Sequence, residues 1–299
     1  MSERGLWYEW LNRPQRRPLR RALFQIHLWL ALLLGVYIIV ISLSGSAVVF
    51  RRELSRAFVV QFLPSTEGTR LEGDALQAAV ERAYAGDTVI RVSDTPRRPR
   101  LPVAVLVEHN GEEQGRNFDP YTGQDLGLSY PPSLEVLEWF VSLHDDLLAG
   151  DVGRKINGVA GMLVLVLVLS GAVLWWPGRH RWRQSLYVTP SMPRLLWHLH
   201  SVAGFWTLLL LANWALSGVY MAFPGPFENL IDWFDPDLND FERPGEIVTR
   251  VLTQAHFGRF GGLGIRTAWT LLGLVPVLLF VTGFIVWWRR VMRPRLARR

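Results

Sequence analysis

The stretch Trp197–Trp214, WHLHSVAGFWTLLLLANW, opens an apolar run of membrane-spanning length and carries two histidines at its polar end. His200 aligns with His27. His27 lies 18 residues before Gly45, in the pair Ser44-Gly45, and His200 lies 18 residues before Gly218, in Ser217-Gly218. A second match has a different offset. His144 precedes Gly171 by 27 residues and His256 precedes Gly283 by 27, with Trp175-Trp176 and Trp287-Trp288 at the same place after each glycine. Such self-similarity governs the reading of the whole chain. The first match is shifted by 173 residues and the second by 112, so 61 extra residues stand between the two spans of the first half. One helix–loop–helix unit, duplicated, with a small domain inserted in the first copy, accounts for this.

The 299 residues are 49% apolar and include 14 Trp. Four long runs, Ala22–Phe50, Asn157–Trp176, Leu195–Phe223 and Thr267–Trp288, contain no charge up to their ends. Each meets the ~20 apolar residues a span requires. The first is too long for the apolar core of a signal peptide and has no small-residue cleavage site. The net charge of +6 comes from arginines that flank the spans, not from a nucleic-acid-binding surface. Arg13, Arg16, Arg17, Arg20 and Arg21 precede the first span. Arg179, Arg181 and Arg183 lie between spans two and three, and Arg289, Arg290, Arg293 and Arg295 follow the fourth. Positive short segments stay cytoplasmic, so both termini are expected in the cytoplasm, with residues 51–156 and 224–266 outside. With no cysteine in the chain, disulfides, iron–sulfur clusters, thiolate catalysis and covalent haem attachment are excluded.

The expected order is a cytoplasmic segment (1–21) with Trp7, Tyr8 and Trp10 as an interfacial anchor, span one (22–50), and an outer domain (51–132). An amphipathic helix and link (133–153), span two (154–176), a cytoplasmic loop (177–194) and span three (195–223) follow. An outer loop (224–265), span four (266–288) and a cytoplasmic tail (289–299) complete the chain. Within the outer domain, Gly73–Ala85 has helical spacing. Val103–Glu108 and Gly115–Phe118 read as strands around an Asn110-Gly111 turn. This small α+β unit, with its helix–strand order and the stretch NFDPYTGQDLG (117–127), resembles a PepSY module. In SLEVLEWFVSLHDDLLA (133–149), Val136, Phe140, Leu143 and Leu147 form an apolar stripe with His144 beside it.

Four of the seven histidines therefore occupy repeat-matched places. The topology puts His27 and His200 at the cytoplasmic ends of their spans, and His144 and His256 at the outer entrances. A parallel duplication relates the halves by a pseudo-two-fold axis along the membrane normal. His27 then faces His200 at one depth and His144 faces His256 at another. Two imidazoles gripping one planar cofactor from both faces is haem ligation, and filling both axial sites favours electron transfer over oxygen activation. Small residues at Gly35, Gly161, Ala203 and Gly204 give a macrocycle room. Arg154 and Arg266, each ten residues after its outer histidine, read either as propionate partners or as snorkelling interfacial anchors. His198 competes with His200. His180 and His109 read as solvated, the Trp pairs as interfacial belts, and Asn213 as an interhelical hydrogen bond.

The pattern HLWLALLLGVYIIVISLSG, LHDDLLAGDVGR…SGAVLWWP, LHSVAGFWTLL…SG, HFGRFGG…TGFIVWW resembles the PepSY-associated transmembrane helix family over nearly the whole chain. That family includes bacterial inner-membrane ferrisiderophore reductases. The resemblance implies four spans, two b-type haems on His27, His200, His144 and His256, and outward electron delivery to Fe(III) chelates such as siderophore complexes. No dinucleotide motif is present, so a separate donor, a quinol or a cytoplasmic flavoprotein, is expected. Two rival readings stand. One is a membrane-tethered PepSY module, without redox activity, that regulates a protease or envelope protein. The other is electron delivery to a basic periplasmic protein at the acidic stretch Glu228, Asp232, Asp235, Asp237 and Asp240.

Overall fold

The structure is a computed structural model and describes residues 12, 18–59, 62–63, 66–188, 194–236 and 243–296. Trp7, Tyr8, Trp10, Arg13, Arg16, Arg17, Asp237 and Asp240 lie outside the described residues. The chain divides into two compact units, residues 1–49 with 140–299, and residues 50–139.

The first unit is helical. Helix α1 (Pro18–Val48) is 31 residues long and uncharged after Arg20 and Arg21; α2 (Arg51–Phe58), the short charged helix that follows it in the chain, belongs to the second unit. Helix α4 (Pro132–Asp146) begins in the second unit and ends in the first, and α5 (Gly150–Trp175) follows it. The rest is built from α6 (Leu195–Trp206), α7 (Leu208–Ala222), α8 (Pro224–Phe234), α9 (Pro244–His256), α10 (Leu263–Leu272) and α11 (Val275–Trp287), ending in α12 (Arg293–Leu296). Three helical bodies, Pro18–Val48, Gly150–Trp175 and Leu263–Leu296, are long and apolar enough to cross a membrane. The bent pair α6–α7 makes a fourth if it counts as one span. Their number and apolarity make the protein a multi-pass membrane protein. Helix α1 packs on α5 and α11, α5 on α7, and α6 on α11, while α9 lies against α7.

Two interruptions have local causes. The chain turns by 63° between α6 and α7. There the Thr207 hydroxyl donates to the Ala203 carbonyl at 2.7 Å, a back-bond that bends helices. The break at Gly273-Leu274 lies just before Pro276, which occupies the first turn of α11. Proline has no N–H to continue a helix and clashes with the carbonyl four residues back. Between α4 and α5 the chain reverses through Leu147 and Leu148, both at positive φ (54° and 62°), a costly conformation for branched residues. On α4 itself the buried apolar residue is Leu137, whereas Val136, assigned to the apolar stripe by its spacing, is 58% exposed.

The second unit is a four-stranded antiparallel sheet in the order β1-β2-β3-β4, with strands Thr88–Ser93, Val103–His109, Glu112–Phe118 and Asp125–Leu128. Helix α3 (Gly73–Ala83) contributes Leu76, Ala79 and Val80 to a core shared with Val103, Val105, Val107 and Phe118. Alternation along β2 supplies one of those residues every second position, and each such burial is worth roughly 1.5–3 kcal/mol. Asn110 and Gly111 both have positive φ, as the two-residue hairpin turn of mirror type demands. In the DPYTG stretch the Asp119 carboxylate accepts from the Tyr121 and Thr122 amides, at 2.8 and 3.3 Å. The Gly123 amide donates to the Asp119 carbonyl at 2.9 Å. The stretch is thus a side-chain-locked turn that joins β3 to β4.

Candidate functional site

The histidines meet in two pairs inside the helical unit. His27 on α1 and His200 on α6 have ring centroids 6.4 Å apart with planes at 88°. His144 on α4 and His256, the last residue of α9, are 6.2 Å apart at 56°.

Every one of the four rings is held through Nδ1. His27 Nδ1 lies 3.1 Å from the Leu167 carbonyl and 3.0 Å from Ser170 Oγ. His200 Nδ1 lies 2.8 Å from the Leu279 carbonyl and 3.2 Å from Thr282 Oγ1. His144 Nδ1 lies 3.1 Å from the Ile41 carbonyl and 3.4 Å from Ser44 Oγ. His256 Nδ1 lies 2.7 Å from Ser217 Oγ.

The hydroxyls fix the tautomer. Ser170 donates to Leu167, Thr282 to Leu278, Ser44 to Val40 and Ser217 to Asn213, all carbonyls of their own helices. A hydroxyl has one proton, so each of these oxygens can only accept from its histidine. The network therefore assigns the proton to Nδ1 in all four rings. In that tautomer the ring lone pair is on Nε2.

The cradle repeats a spacing of carbonyl, hydroxyl three residues on, then glycine: Leu167, Ser170, Gly171; Leu279, Thr282, Gly283; Ile41, Ser44, Gly45. Positions three and four apart share one helix face. A Cβ at Gly171 would stand 3.1 Å from His27 Cε1, at Gly283 3.1 Å from His200 Cε1, and at Gly45 2.7 Å from His144 Cε1. At Gly218 nothing lies within 4 Å. The Ser-Gly and Thr-Gly pairs that mark the sequence repeat are thus the seats of the histidines, crosswise. His27 and His200 are seated by helices that follow them, α5 and α11, and His144 and His256 by helices that precede them, α1 and α7. Sequence reasoning used those pairs only as alignment marks. Their polar character inside apolar runs is the signal it passed over: Ser44, Ser170, Ser217 and Thr282 are all buried.

A second set of bonds ties down the helix ends that carry His144 and His256. Asn157 Nδ2 donates to the His144 carbonyl at 2.8 Å, and the Tyr37 hydroxyl donates to Asn157 Oδ1 at 2.5 Å. In the other half Trp269 Nε1 donates to the Ala255 carbonyl at 2.7 Å and Trp214 Nε1 to the His256 carbonyl at 3.1 Å. Asn157 and Trp269 are 112 residues apart, the repeat offset. Two different side chains therefore perform one task.

Other residues singled out in the sequence fall elsewhere. His198 sets its ring edge-on to Trp197, with centroids 5.2 Å apart. His180 is exposed, and His109 Nδ1 pairs with Asp87 at 2.6 Å. Arg154 is exposed on α5, and Arg266 is half-buried on α10. Gly35 faces the Phe280 ring and Gly161 faces Val219, so these glycines serve helix packing. Asn213, expected to bond between helices, has a buried Nδ2 without a partner among the described residues. Trp175 stacks on Phe205 at 4.0 Å. Asp232 is paired with Arg243 at 2.6 Å. Among the described residues no three His, Asp or Glu side chains converge as a metal-ion cage. The two-imidazole pairs are the recurrent feature.

Fold and site together define a multi-pass helical membrane protein with a small antiparallel-sheet unit and two close histidine pairs. The family model described as PepSY-associated TM region matches residues 24–242 and 232–290, and the chain belongs to that family. No curated protein matches the chain.

Proposed function

We propose that the protein is a dihaem b-type membrane oxidoreductase. It passes electrons from the cytoplasmic side of a bacterial inner membrane to Fe(III) chelates, siderophore complexes foremost, on the outer side. One observation carries the reading: two pairs of histidines, each ring seated through Nδ1, approach one another across the bundle at 6.4 and 6.2 Å. Two imidazoles bound to opposite faces of one metal, at ~2.0 Å per bond, have ring centroids roughly 6.3 Å apart. The Nδ1–H tie is the one metal-bound histidines make, and it orients the ring and raises its basicity. A chain without cysteine would hold a haem macrocycle non-covalently.

Haem bound at the two pairs would supply reversible one-electron iron chemistry. His27 and His200 would hold the inner group, His144 and His256 the outer one. Along α1, 17 residues separate His27 from Ser44, the seat of His144, about 25 Å of helix. The pairs therefore stand near opposite faces of the membrane. Counting α6–α7 and α10–α11 as one span each gives four spans in two hairpins. Arg20, Arg179, Arg181, Arg183, Arg289 and Arg290 then gather at the His27–His200 end, which the positive-inside rule puts in the cytoplasm. The donor is a separate quinol or flavoprotein. Fe(II) binds hard oxygen chelators more weakly than Fe(III), so reduction releases the metal.

Haem per chain and the reduced absorption spectrum of the detergent-purified protein test the reading, followed by reoxidation with ferric chelates. Two b-type haems per chain that reoxidise on adding the chelate are expected. No haem, after expression with ample haem supply, overturns it.

A further inference from the structure

Helix α8 does not continue the span that precedes it. Phe223, at φ −135° and ψ 69°, ends the helical path of α7. Pro224 and Pro226 open α8, within the turn whose N–H groups have no helical partner. The Phe227 ring then lies edge-on to the Tyr220 ring of α7, with centroids 5.4 Å apart, so the start of α8 stays beside the last turn of α7. Its other end is tied to α9. A Cβ at Gly245 would stand 2.6 Å from Ile231 Cγ1. The Arg243 guanidinium donates to Asp232 at 2.6 Å, to the Asp235 carbonyl at 3.2 Å and to Glu246 at 2.7 Å.

These contacts leave one face open. Leu230, Trp233 and Phe234 are 52%, 74% and 72% exposed. At 3.6 residues per turn they fall within an arc of about 100°. Glu228 and Asp232, both exposed, occupy the opposite side of the helix. Phe227 and Ile231, which pack on α7 and α9, lie along one flank. Three large apolar side chains on one face mark a contact surface.

Position and charge decide what covers it. The patch follows directly on a span whose own outward residues, such as Leu209 at 83% exposure, face lipid, and it continues that surface. Trp, Phe and Leu opposite a polar face are the composition of a helix lying in a membrane interface. No Lys or Arg stands in α8, so its polar side offers nothing to anionic headgroups. The contact is apolar.

We propose that α8 lies along the membrane–water interface, with Leu230, Trp233 and Phe234 inserted among lipid acyl chains and Glu228 and Asp232 turned to water. Through Arg243 and Gly245 this helix holds α9, whose last residue is His256, so a lipid anchor sets the depth at which α9 docks. The proposal rests on the membrane-spanning fold alone and stands whether or not the histidine pairs bind haem.

The chain has no cysteine, so a single nitroxide label can be attached at each position in turn. Glu228→Cys, Leu230→Cys, Trp233→Cys and Phe234→Cys are labelled in the full-length protein in phosphatidylcholine nanodiscs. Collision with O2, which concentrates in the bilayer, is compared with collision with a water-soluble Ni(II) chelate. The ratio should be several-fold higher for labels replacing Leu230, Trp233 and Phe234 than for the label replacing Glu228, with the apolar face about 5–10 Å into the headgroup–acyl boundary. Replacing part of the phosphatidylcholine by phosphatidylglycerol should leave these ratios unchanged. Preference for the nickel chelate at every position overturns the proposal and leaves the face to water or a soluble partner. Dipolar broadening between labels that replace Phe234 overturns it in favour of a second copy of the chain. A depth that follows the phosphatidylglycerol content overturns it in favour of a headgroup contact. Unlabelled protein gives a second reading free of the probe. The emission of Trp233, taken as the difference between wild type and Trp233→Phe, should be quenched by phosphatidylcholine brominated on its acyl chains and spared by aqueous iodide, and the reverse result overturns the proposal.

Discussion

Gly45 lies against the imidazole of His144: a Cβ there would stand 2.7 Å from Cε1 of the ring. Its repeat partner Gly218 has nothing within 4 Å. The two glycines are equivalent in sequence and unequal in load. Gly45→Ala must move the His144 ring or the helix, a strain of about 1–3 kcal/mol. Gly218→Ala relieves the helix of a glycine, worth up to ~1 kcal/mol where nothing is touched. Thermal unfolding with haem quantification should show Gly45→Ala destabilised and deficient at the outer pair, and Gly218→Ala at or above wild type. Equal behaviour of the two would refute the seat.

Asn157 is the next bond to break. Its amide holds the carbonyls of His144 and Asp145, at 2.8 and 3.2 Å, and receives the Tyr37 hydroxyl. Asn157→Leu takes the donor from the His144 and Asp145 carbonyls and leaves the Tyr37 phenol only the long bond to the residue-157 backbone carbonyl, at 3.4 Å, a loss of about 1–3 kcal/mol for a buried group left unsatisfied. Tyr37→Phe removes only the phenol, and Asn157 keeps its grip on the backbone. Denaturant unfolding should therefore rank Asn157→Leu well below Tyr37→Phe, with the outer haem lost first in the former.

The sequence made the histidine pairing legible because a duplication repeats its landmarks at fixed offsets. The offsets themselves locate His27, His144, His200 and His256. Cradle geometry was hidden because Ser44 and Ser170 read as ordinary small residues in apolar runs; only helix neighbours 100 or more residues away give them a task. The bend at Thr207 was equally hidden, since hydropathy is continuous from Leu195 to Phe223 and a back-bonded threonine leaves no apolar gap. In the sheet, the Asn110-Gly111 turn announces its hairpin by residue type. The edge strands Thr88–Ser93 and Asp125–Leu128 are short and carry no buried position, exposed residues dominating the first and half-buried ones the second, so their period is weak.

Acid should loosen the sheet unit through Asp94. Arg70 grips it with two bonds, at 2.8 and 2.5 Å, and this hydrogen bonding holds the Asp94 carboxyl below the usual carboxylate range. A depressed folded value means the stabilisation is complete above the unfolded value of ~3.9 and is lost as pH falls through the folded one. Asp94→Asn removes the term at every pH. Hydrogen exchange of β1 in the full-length protein should separate wild type from Asp94→Asn at pH 6, and the two curves should converge as pH approaches 2. A constant gap down to the lowest pH would contradict the linkage.

Pair membership can be read from double variants. His200 Nδ1 sits on Leu279 and Thr282, whereas His198 rests on Trp197. His198→Ala should keep both haems, and His200→Ala should lose about one. Partners in one site act as a unit, so their effects are not additive, while separate sites contribute independently. His27→Ala combined with His200→Ala should therefore lose no more haem than either alone. His27→Ala combined with His256→Ala should lose both. Haem counted per chain, with reduced spectra to tell the two groups apart, decides the matter. If the His27–His200 double variant loses both haems, the faces of the bundle are not independent sites, and the four histidines must be reassigned.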